Sequence, residues 1–390
     1  MELIGVIAGM LLGIFSGLLP GVHTNTVIAV LMGMGIEPGF LSFVIVATFA
    51  AHIVFEFFPA IFLGVPDETT VVSVLPGQRL LLEGKGVEGL RICAVSILCA
   101  TCLSILLFPV ALVIFPFIYS LIKPLMLPLL VGGSVLLLAT EGEWKKVVIA
   151  LVVFLLAGAI GLITLNGGIS EPLFPSFTGM FAVSSLMVGS SGSRKLPRQE
   201  TGPFEFDFKR FIVIGVLLGM LADLFPGMGA PAQIAVFASI FLSLAPRSYL
   251  ALTSSVAVSH AVFAFSSLLT INKARVGALI ALGQVADITL SSVPIFLSSF
   301  LVVVGIASLL LILFSRAAKS FCSLNFQALN AILLLYLIIL VFVVSGPIGL
   351  LLLGTASALG AVPILLGVRR THLMGLIMVP TMVLLSNTVL

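Results

Sequence analysis

The chain has 390 residues, of which 60% are apolar and only 8% are charged, and its mean hydropathy is +1.33. Soluble domains carry about 25% charged residues, so these values exclude a water-soluble fold. The net charge of +3 is small and dispersed, whereas a nucleic-acid partner would require a basic stripe or patch. The composition therefore predicts an all-α integral membrane protein of a cell membrane, surrounded by lipids and without a nucleic-acid partner.

Ten apolar runs are predicted to cross the bilayer, since one span needs roughly 20 apolar residues. In chain order they cover about 40–63, 89–120, 124–140, 146–164, 174–190, 248–269, 289–315, 324–344, 346–366 and 373–388. Four further regions are apolar but interrupted by Gly, Pro or charge, namely 1–36, 64–84, 211–246 and 270–288. Such regions predict re-entrant hairpins or broken helices, because freed backbone groups at membrane depth are tolerated only beside protein or a water-filled cavity.

The two halves of the chain repeat one another. The pattern G-x3-G-x6-P-G that begins at Gly9 recurs from Gly215, 206 residues later. The segment HIVFEF from His52 recurs as HAVFAF from His260, 208 residues later. Two matches in the same order indicate an internal duplication.

This duplication predicts a first transmembrane repeat at 1–190, a cytoplasmic linker at 191–210 and a second transmembrane repeat at 211–390. With the linker cations placed inside, each repeat has five spans, so the second repeat is inverted relative to the first. Both termini are then expected to be extracytoplasmic. Inverted repeats are typical of secondary transporters, which bind substrate near the midplane where discontinuous helices meet.

The two Pro-Gly pairs are the leading candidates for a binding site. Pro20 removes a backbone donor and Gly21 permits positive φ, so one helix ends and another begins just beyond them. A helix N terminus exposes N–H groups and a partial positive charge, which suit a carboxylate or a phosphate. The alternative is that Pro and Gly only kink or pack membrane helices. The substrate-binding candidates at the two breaks are Pro20, Gly21, His23, Thr24, Asn25, Thr26, Pro226, Gly227, Gly229 and Gln233.

The interrupted segments also carry a resemblance to a known family. The segments 17–26, 64–70, 84–89 and 225–230 resemble the motifs of the TctA family, the large membrane subunit of tripartite tricarboxylate transporters. The resemblance implies a secondary transporter of carboxylates such as citrate, driven by an ion gradient. It also implies two partners, a small membrane subunit and an extracytoplasmic binding protein. Further substrate-binding candidates in the second of these segments are Thr69 and Thr70.

The charged hairpin residues leave two interpretations open. Asn272, Lys273 and Arg275 stand in the second-half hairpin, where the cations would capture an anion, Arg with bidentate geometry. Alternatively, Asp67 and Glu68 of the matching first-half hairpin neutralise both cations across the pseudo-twofold axis.

Ionisable residues inside the apolar regions are candidates for ion coupling, because they are costly in a membrane and usually functional or paired. Glu56 follows His52 by four residues and shares its helix face, and Asp223 lies three residues before a Pro-Gly break. Either acid is a candidate to bind a proton or Na+. The alternative for each acid is a structural pair, and the alternative for each histidine is a hydrogen-bonded position in the core. The ion-coupling candidates are His52, Glu56, Asp67, Glu68, Asp223 and His260.

These features favour an ion-coupled secondary transporter that carries a small organic anion by alternating access. A translocase for a polyprenyl phosphate is the alternative, since Lys273 and Arg275 also suit a lipid phosphate. The sequence leaves open whether the chain forms a homodimer. An enzyme is disfavoured, because His-Glu-x-x-His, Gly-x-Ser-x-Gly and a catalytic aspartate pair are missing. No cofactor or metal site is expected beyond Na+ or H+ as the coupling ion.

Overall fold

The computed structural model describes residues 2–20, 22–65, 70, 73–168, 173–189, 197–200, 202, 204–224, 244–273, 276–317 and 326–389. All regular secondary structure in these ranges is helical. The predicted all-α class is therefore confirmed for the part of the chain that is described.

The α-helices of the described ranges divide between the two halves of the chain. The first-half helices are α1 (Glu2–Leu18), α2 (Thr24–Gly33), α3 (Pro38–Phe55), α4 (Val74–Leu82), α5 (Gly86–Ile122), α6 (Met126–Ala139), α7 (Trp144–Asn166), α8 (Leu173–Phe177) and α9 (Ser184–Gly189). The second-half helices are α10 (Lys209–Ala222), α11 (Pro246–Ile271), α12 (Gly277–Val285), α13 (Val293–Ala317), α14 (Phe326–Leu366) and α15 (Gly375–Val389). A π-helical turn at Pro59–Leu63 follows α3, and another at Thr178–Val183 joins α8 to α9.

Six helical stretches in the described ranges are long and apolar enough to cross a membrane. They are Pro38–Leu63, Gly86–Ala139, Trp144–Asn166, Pro246–Ile271, Val293–Arg316 and Asn330–Leu366. The 54-residue and 37-residue stretches each cover two of the ten predicted spans. The first passes through a 3-10 turn at Lys123–Leu125, and the second is interrupted at Gly346, whose φ of 68° is left-handed. A straight helix of 54 residues would measure roughly 80 Å. This length exceeds the hydrocarbon layer of a bilayer, which is roughly 30 Å thick.

The start of α3 shows how the sequence sets a helix boundary. Pro38 occupies the first turn, where a missing N–H group costs nothing. The Glu37 carboxylate accepts hydrogen bonds from the N–H groups of Phe40 at 2.6 Å and Gly39 at 2.8 Å. These two hydrogen bonds, that from Phe40 first, hold the pKa of Glu37 below its ordinary value.

Within the described ranges, three hydrophobic cores hold the helices together, and each of the three contains residues from both halves of the chain. The first core joins α1, α3 and α5 to α10, α11 and α13. The second joins α6, α7 and the π-turn before α9 to α14 and α15. The third joins α8, α9 and the end of the α3 region to α14. The two halves of the sequence are therefore interlocked.

Glycines bring α1 against α3 and α10 against α11 by the same contacts. A Cβ atom placed on Gly9 would meet the backbone carbonyl of Val44, and one on Gly215 would lie 2.8 Å from the carbonyl of Leu252. The glycines are 206 residues apart and their partners 208 apart, which are the two offsets of the sequence repeat. The duplicated motif thus produces the same close approach of two helix backbones in each half.

Polar contacts gather the linker and several helix ends on one side of the molecule. Gln199 accepts a hydrogen bond from the N–H of Gly86 at 2.7 Å and donates one to the carbonyl of Leu81 at 3.0 Å. Arg247, at the start of α11, is paired with Glu88 of α5 and lies 3.1 Å from Asp207 of the linker. The predicted cytoplasmic linker therefore contacts helix ends from both halves of the chain.

The glycine contacts predict a strong difference between two Gly→Ala variants. A Cβ on Gly219 would lie 2.6 Å from the Cβ of Ser259 and 2.8 Å from the carbonyl of Val256. We expect Gly219→Ala to lower the free energy of unfolding by about 1–3 kcal/mol, because α10 and α11 must separate. Gly305→Ala on α13 is the control, since nothing lies within 4 Å of the added methyl group.

Thermal unfolding in detergent micelles measures both variants. Gly305→Ala is expected to leave the melting temperature unchanged or to raise it, because alanine favours the helix by about 0.5–1 kcal/mol. Equal melting temperatures for the two variants would contradict a tight α10–α11 contact.

Candidate functional site

The break after α1 leaves the start of α2 without a side-chain cap. α1 ends at Leu18, Pro20 is buried, and α2 begins at Thr24. His23, at the N-cap position, has extended backbone angles (φ −69°, ψ 144°), and its side chain does not cap the helix. Because the first N–H groups of a helix have no partner within it, the first turn of α2 presents backbone donors and a partial positive charge.

Two other elements border this break. The ring of His23 lies edge-on to Phe174 of α8, with 5.7 Å between ring centroids. The side chain of Asn25 lies against Gly277, the first residue of α12, where a Cβ atom would lie 2.7 Å from the Asn25 Cγ. Thr24 is buried, whereas Asn25 is exposed. The first-half break therefore faces the hairpin of the second half.

The helix that follows each predicted hairpin turn contacts a long helix of the other half. α4, which returns from the first-half hairpin, packs on α11, whereas α12 packs on α3. The hydroxyl of Ser73 donates to the hydroxyl of Thr253 at 2.8 Å, which fixes the first-half hairpin to α11. Thr70, one of the predicted binding residues, is buried just before this contact.

His52, on α3, and Glu56, the C-cap residue of α3, form a buried pair. The Nε2 of His52 lies 3.7 Å from Oε2 of Glu56, one helical turn further along the chain. The Nδ1 of His52 lies 2.9 Å from the hydroxyl of Ser16, on the last turn of α1. Both ionisable side chains are almost fully buried. The pair thus lies one turn before the break at Pro20.

His260 and Asp223 form the corresponding pair in the second half. The Nε2 of His260, on α11, lies 3.3 Å from Oδ1 of Asp223, the C-cap residue of α10. Asp223 is fully buried and His260 is 4% exposed. Within the described ranges, no group of three or more His, Cys, Asp or Glu side chains is arranged to hold a metal ion.

Lys273 lies at the end of α11, just after Asn272, whose φ of 50° ends the helix. Its ammonium group is 5.4 Å from the centre of the Tyr119 ring on α5, and the side chain is exposed. Capture of an anion by Lys273, or its pairing with Asp67, stays a prediction.

Several predicted site residues lie outside the described residues, and for Thr26 only the backbone is described. The residues outside are Gly21, Asp67, Glu68, Thr69, Pro226, Gly227, Gly229, Gln233 and Arg275.

Sequence reasoning missed Arg370 and the π-turn that it contacts. Its guanidinium donates to the carbonyls of Phe181 at 2.7 Å and Met180 at 2.9 Å, and to the hydroxyls of Ser185 at 2.6 Å and Ser184 at 3.1 Å. Nothing in the sequence marked Arg370 as a contact of this turn, because a π-turn has no pattern from which it could be read. Ser16 and Phe174 were also missed. Only their tertiary contacts, Ser16 with His52 and Phe174 with His23, show that they lie beside the break.

The long apolar helices define the class as a multi-pass membrane protein. A family model described as "Tripartite tricarboxylate transporter TctA family" matches residues 3–375. The chain therefore belongs to the TctA family, and the resemblance seen in its motifs is confirmed. The family works within a tripartite transporter, together with two partner components.

A curated relative and the solved structures complete the comparison. The uncharacterized protein MJ1079 of Methanocaldococcus jannaschii is 25% identical over 291 residues, which is 71% of each chain. No solved structure matches the chain.

The Arg370 contacts predict a matched pair of variants. We expect Arg370→Met to lower the free energy of unfolding by about 1.5–3 kcal/mol, the usual contribution of hydrogen bonds to a charged group. Arg369→Met is the control, because the Arg369 side chain is exposed, and its effect should stay within about 0.5 kcal/mol. Denaturant unfolding in micelles measures both, and a loss no larger for Arg370→Met than for the control would contradict a role for Arg370 in holding the π-turn.

Proposed function

We propose that the chain is an ion-coupled secondary transporter of a small, carboxylate-like organic anion. The observation that carries the proposal is the first turn of α2, which lacks a side-chain cap, follows the buried Pro20 and lies against Gly277 of the other half. A helix N terminus attracts an anion through its N–H groups and its dipole. Membership of a transporter family supports transport as the activity.

Thr24 and Asn25 are the side chains best placed to add to the backbone donors. Thr24 is buried at the start of α2, and Asn25 lies between this helix and Gly277. A hydroxyl and an amide both donate hydrogen bonds to a carboxylate without bringing a charge into the membrane. In the proposal the other binding residues are Gly21, His23, Thr26, Thr69, Thr70, Pro226, Gly227, Gly229, Gln233, Asn272, Lys273 and Arg275.

Alternating access is proposed to arise from the interlocked halves. Each half places its hairpin helix on the long helix of the other half, α4 on α11 and α12 on α3. If the halves are inverted repeats, the contact of α4 with α11 and the contact of α12 with α3 lie toward opposite faces of the membrane. An anion held between the halves is then exposed first to one side and then to the other. In the proposed topology both termini are extracytoplasmic.

Coupling to Na+ or H+ is assigned to the buried pairs His52–Glu56 and His260–Asp223, which adjoin the two breaks in the sequence. A small membrane subunit and an extracytoplasmic binding protein are the expected partners, since the family is tripartite. A homodimer of the chain is part of the same proposal.

The test measures citrate and succinate binding to the purified protein and their uptake into proteoliposomes under imposed Na+ or H+ gradients. Asn25→Leu is expected to weaken citrate binding about ten- to hundredfold, because a hydrogen bond to a charged group contributes about 1.5–3 kcal/mol. Asn166→Leu is the control, since Asn166 is exposed at the end of α7 and bonds only to Leu162 among described atoms.

Two results would overturn the proposal. Folded protein that binds and moves no organic anion under either gradient is incompatible with carboxylate transport. Movement of a polyprenyl phosphate between the leaflets of the same vesicles, without uptake of citrate or succinate, would favour the lipid-carrier alternative instead.

A further inference from the structure

Each half of the chain buries one histidine beside one carboxylate, but the carboxylate stands on a different helix in each half. The repeat relates α1 to α10 by 206 residues and α3 to α11 by 208. With these offsets, Asp223 occupies the position of Gly17, and Ala264 occupies that of Glu56. The acid has therefore changed helix while remaining beside the duplicated histidine.

Close packing accounts for where each acid can stand. A Cβ on Gly17 would lie 2.8 Å from the Cβ of Phe55, so the end of α1 has no room for a carboxylate, and the first-half acid stands on α3 as Glu56. In the second half Ala264 is fully buried on α11, and Asp223 on α10 supplies the acid. Because ionisable side chains inside a membrane are costly, retention of the pair in both arrangements indicates a requirement for it.

The His260 pair lies near the middle of the bundle. His260 is 13 residues from Arg247 (260 − 247) and 13 from Lys273 (273 − 260), which is roughly 20 Å in each direction along a helix. Both of those cations lie at the ends of α11, Arg247 paired with Glu88 and Lys273 over the Tyr119 ring.

The charged and titratable groups of the neighbouring helices lie mostly toward the ends. Around α11 they are Lys209 and Arg210 at the start of α10, Arg79 and Glu83 at the end of α4, and Glu88, Arg91, Cys93, Cys99, Cys102 and Tyr119 on α5. Around α3 they are Glu2 at the start of α1, His23 at the start of α2 and Arg316 at the end of α13, while α12 contains none. Among the described residues, the charges around α11 therefore lie away from its middle, where His260 stands.

A proton suits these sites better than Na+. Histidine exchanges a proton near neutral pH, and chains of Asp, Glu and His form proton relays in transporters. Hard metal cations instead take several oxygen ligands, whereas each pair offers one carboxylate and one imidazole nitrogen. The described residues hold no group of three or more His, Cys, Asp or Glu arranged for a metal ion.

We infer that the two pairs are the proton-coupling sites of the transporter, one in each half, and that each takes up a proton when an anion occupies the neighbouring helix break. The inference rests on the proposed function. Ser16, which contacts His52, lies four residues before Pro20, and Asp223 lies three residues before Pro226. A carboxylate and an anion bound at the neighbouring break would repel each other, and a proton on the pair would remove the repulsion. By linkage, anion binding then raises proton affinity and proton binding raises anion affinity by the same factor.

The proton step leaves the covalent framework of the protein unchanged. One proton from the water on the open side forms an N–H or O–H bond within each imidazole–carboxylate pair. The same proton returns to water on the other side, after the anion has left.

The experiment uses proteoliposomes loaded with a pH-sensitive dye and supplied with labelled citrate in Na+-free buffer. Wild-type protein is expected to accumulate citrate when the outside is acidic and to acidify the lumen as citrate enters. Glu56→Gln and Asp223→Asn should each reduce proton-driven accumulation and lumen acidification at least tenfold. Exchange of labelled for unlabelled citrate, which needs no net proton movement, should still be measurable in both variants.

Ser104→Ala is the matched control for these variants. Ser104 on α5 donates to the hydroxyl of Ser259 at 2.8 Å, next to His260, and is fully buried. Loss of this hydroxyl removes a buried polar contact near the pair without removing an ionisable group. Accumulation, acidification and exchange should all match the wild type.

A relocation variant separates proton binding from packing. Asp223→Gly combined with Ala264→Glu recreates in the second half the arrangement of Gly17 and Glu56 in the first. The double variant should restore at least half of the wild-type lumen acidification, whereas Asp223→Gly alone should not. If the double variant does not fold, as judged by its melting temperature, the two amide variants decide the question.

The outcomes are distinguishable. Citrate accumulation driven by Na+ at constant lumen pH would overturn the proton sites and leave the transport proposal intact. Wild-type vesicles with neither exchange nor accumulation of any organic anion would overturn the transport proposal, and the coupling sites with it. Acidification that persists in both amide variants, or a folded double variant that exchanges citrate without acidifying the lumen, would overturn the assignment of these pairs.

Discussion

Backbone hydrogen bonding is the constraint on which this fold depends. In the hydrocarbon layer no water is present to pair with a freed N–H or C=O group, so every interruption of a helix must lie beside protein or a water-filled cavity. The described interruptions meet this requirement in different ways. Arg370 donates to the carbonyls of the π-turn before α9, and the break before α2 is covered by α8 and by Gly277. Each broken helix is therefore also a place where particular donors are held in position.

Close approach of helix backbones decides what can lie beside these interruptions. Glycines on α1 and α10 let these helices approach α3 and α11 very closely. A Cβ atom in place of such a glycine would lie less than 3 Å from an atom of the neighbouring helix. At such short range a small side chain reaches across the contact, as Ser16 does toward His52 and Asp223 does toward His260. The position of each buried pair is thus a consequence of the duplicated glycine motif.

Local features of the fold were accessible from the sequence, because they depend on local physics. Apolar length marked the helices, and a glycine with positive φ separates the two predicted spans that meet at Gly346. The duplicated histidines were visible from their spacing. The interlocking of the two halves could not be predicted from the sequence, since a sequence repeat does not show which helices share a core. The partners Ser16, Phe174 and Arg370 also needed the tertiary structure, because a serine, a phenylalanine or an arginine in an apolar chain has many possible neighbours.

In the proposed mechanism, anion binding and ion binding depend on the same helix ends. α1 carries the glycines that contact α3, the serine that contacts His52, and the break at Pro20. α10 carries the equivalent glycines and Asp223, three residues before the second Pro-Gly pair. A small shift of either helix along its glycine contact would therefore alter the break and the buried pair together. Coupling between the two sites then needs no long pathway through the protein, since one helix end belongs to both.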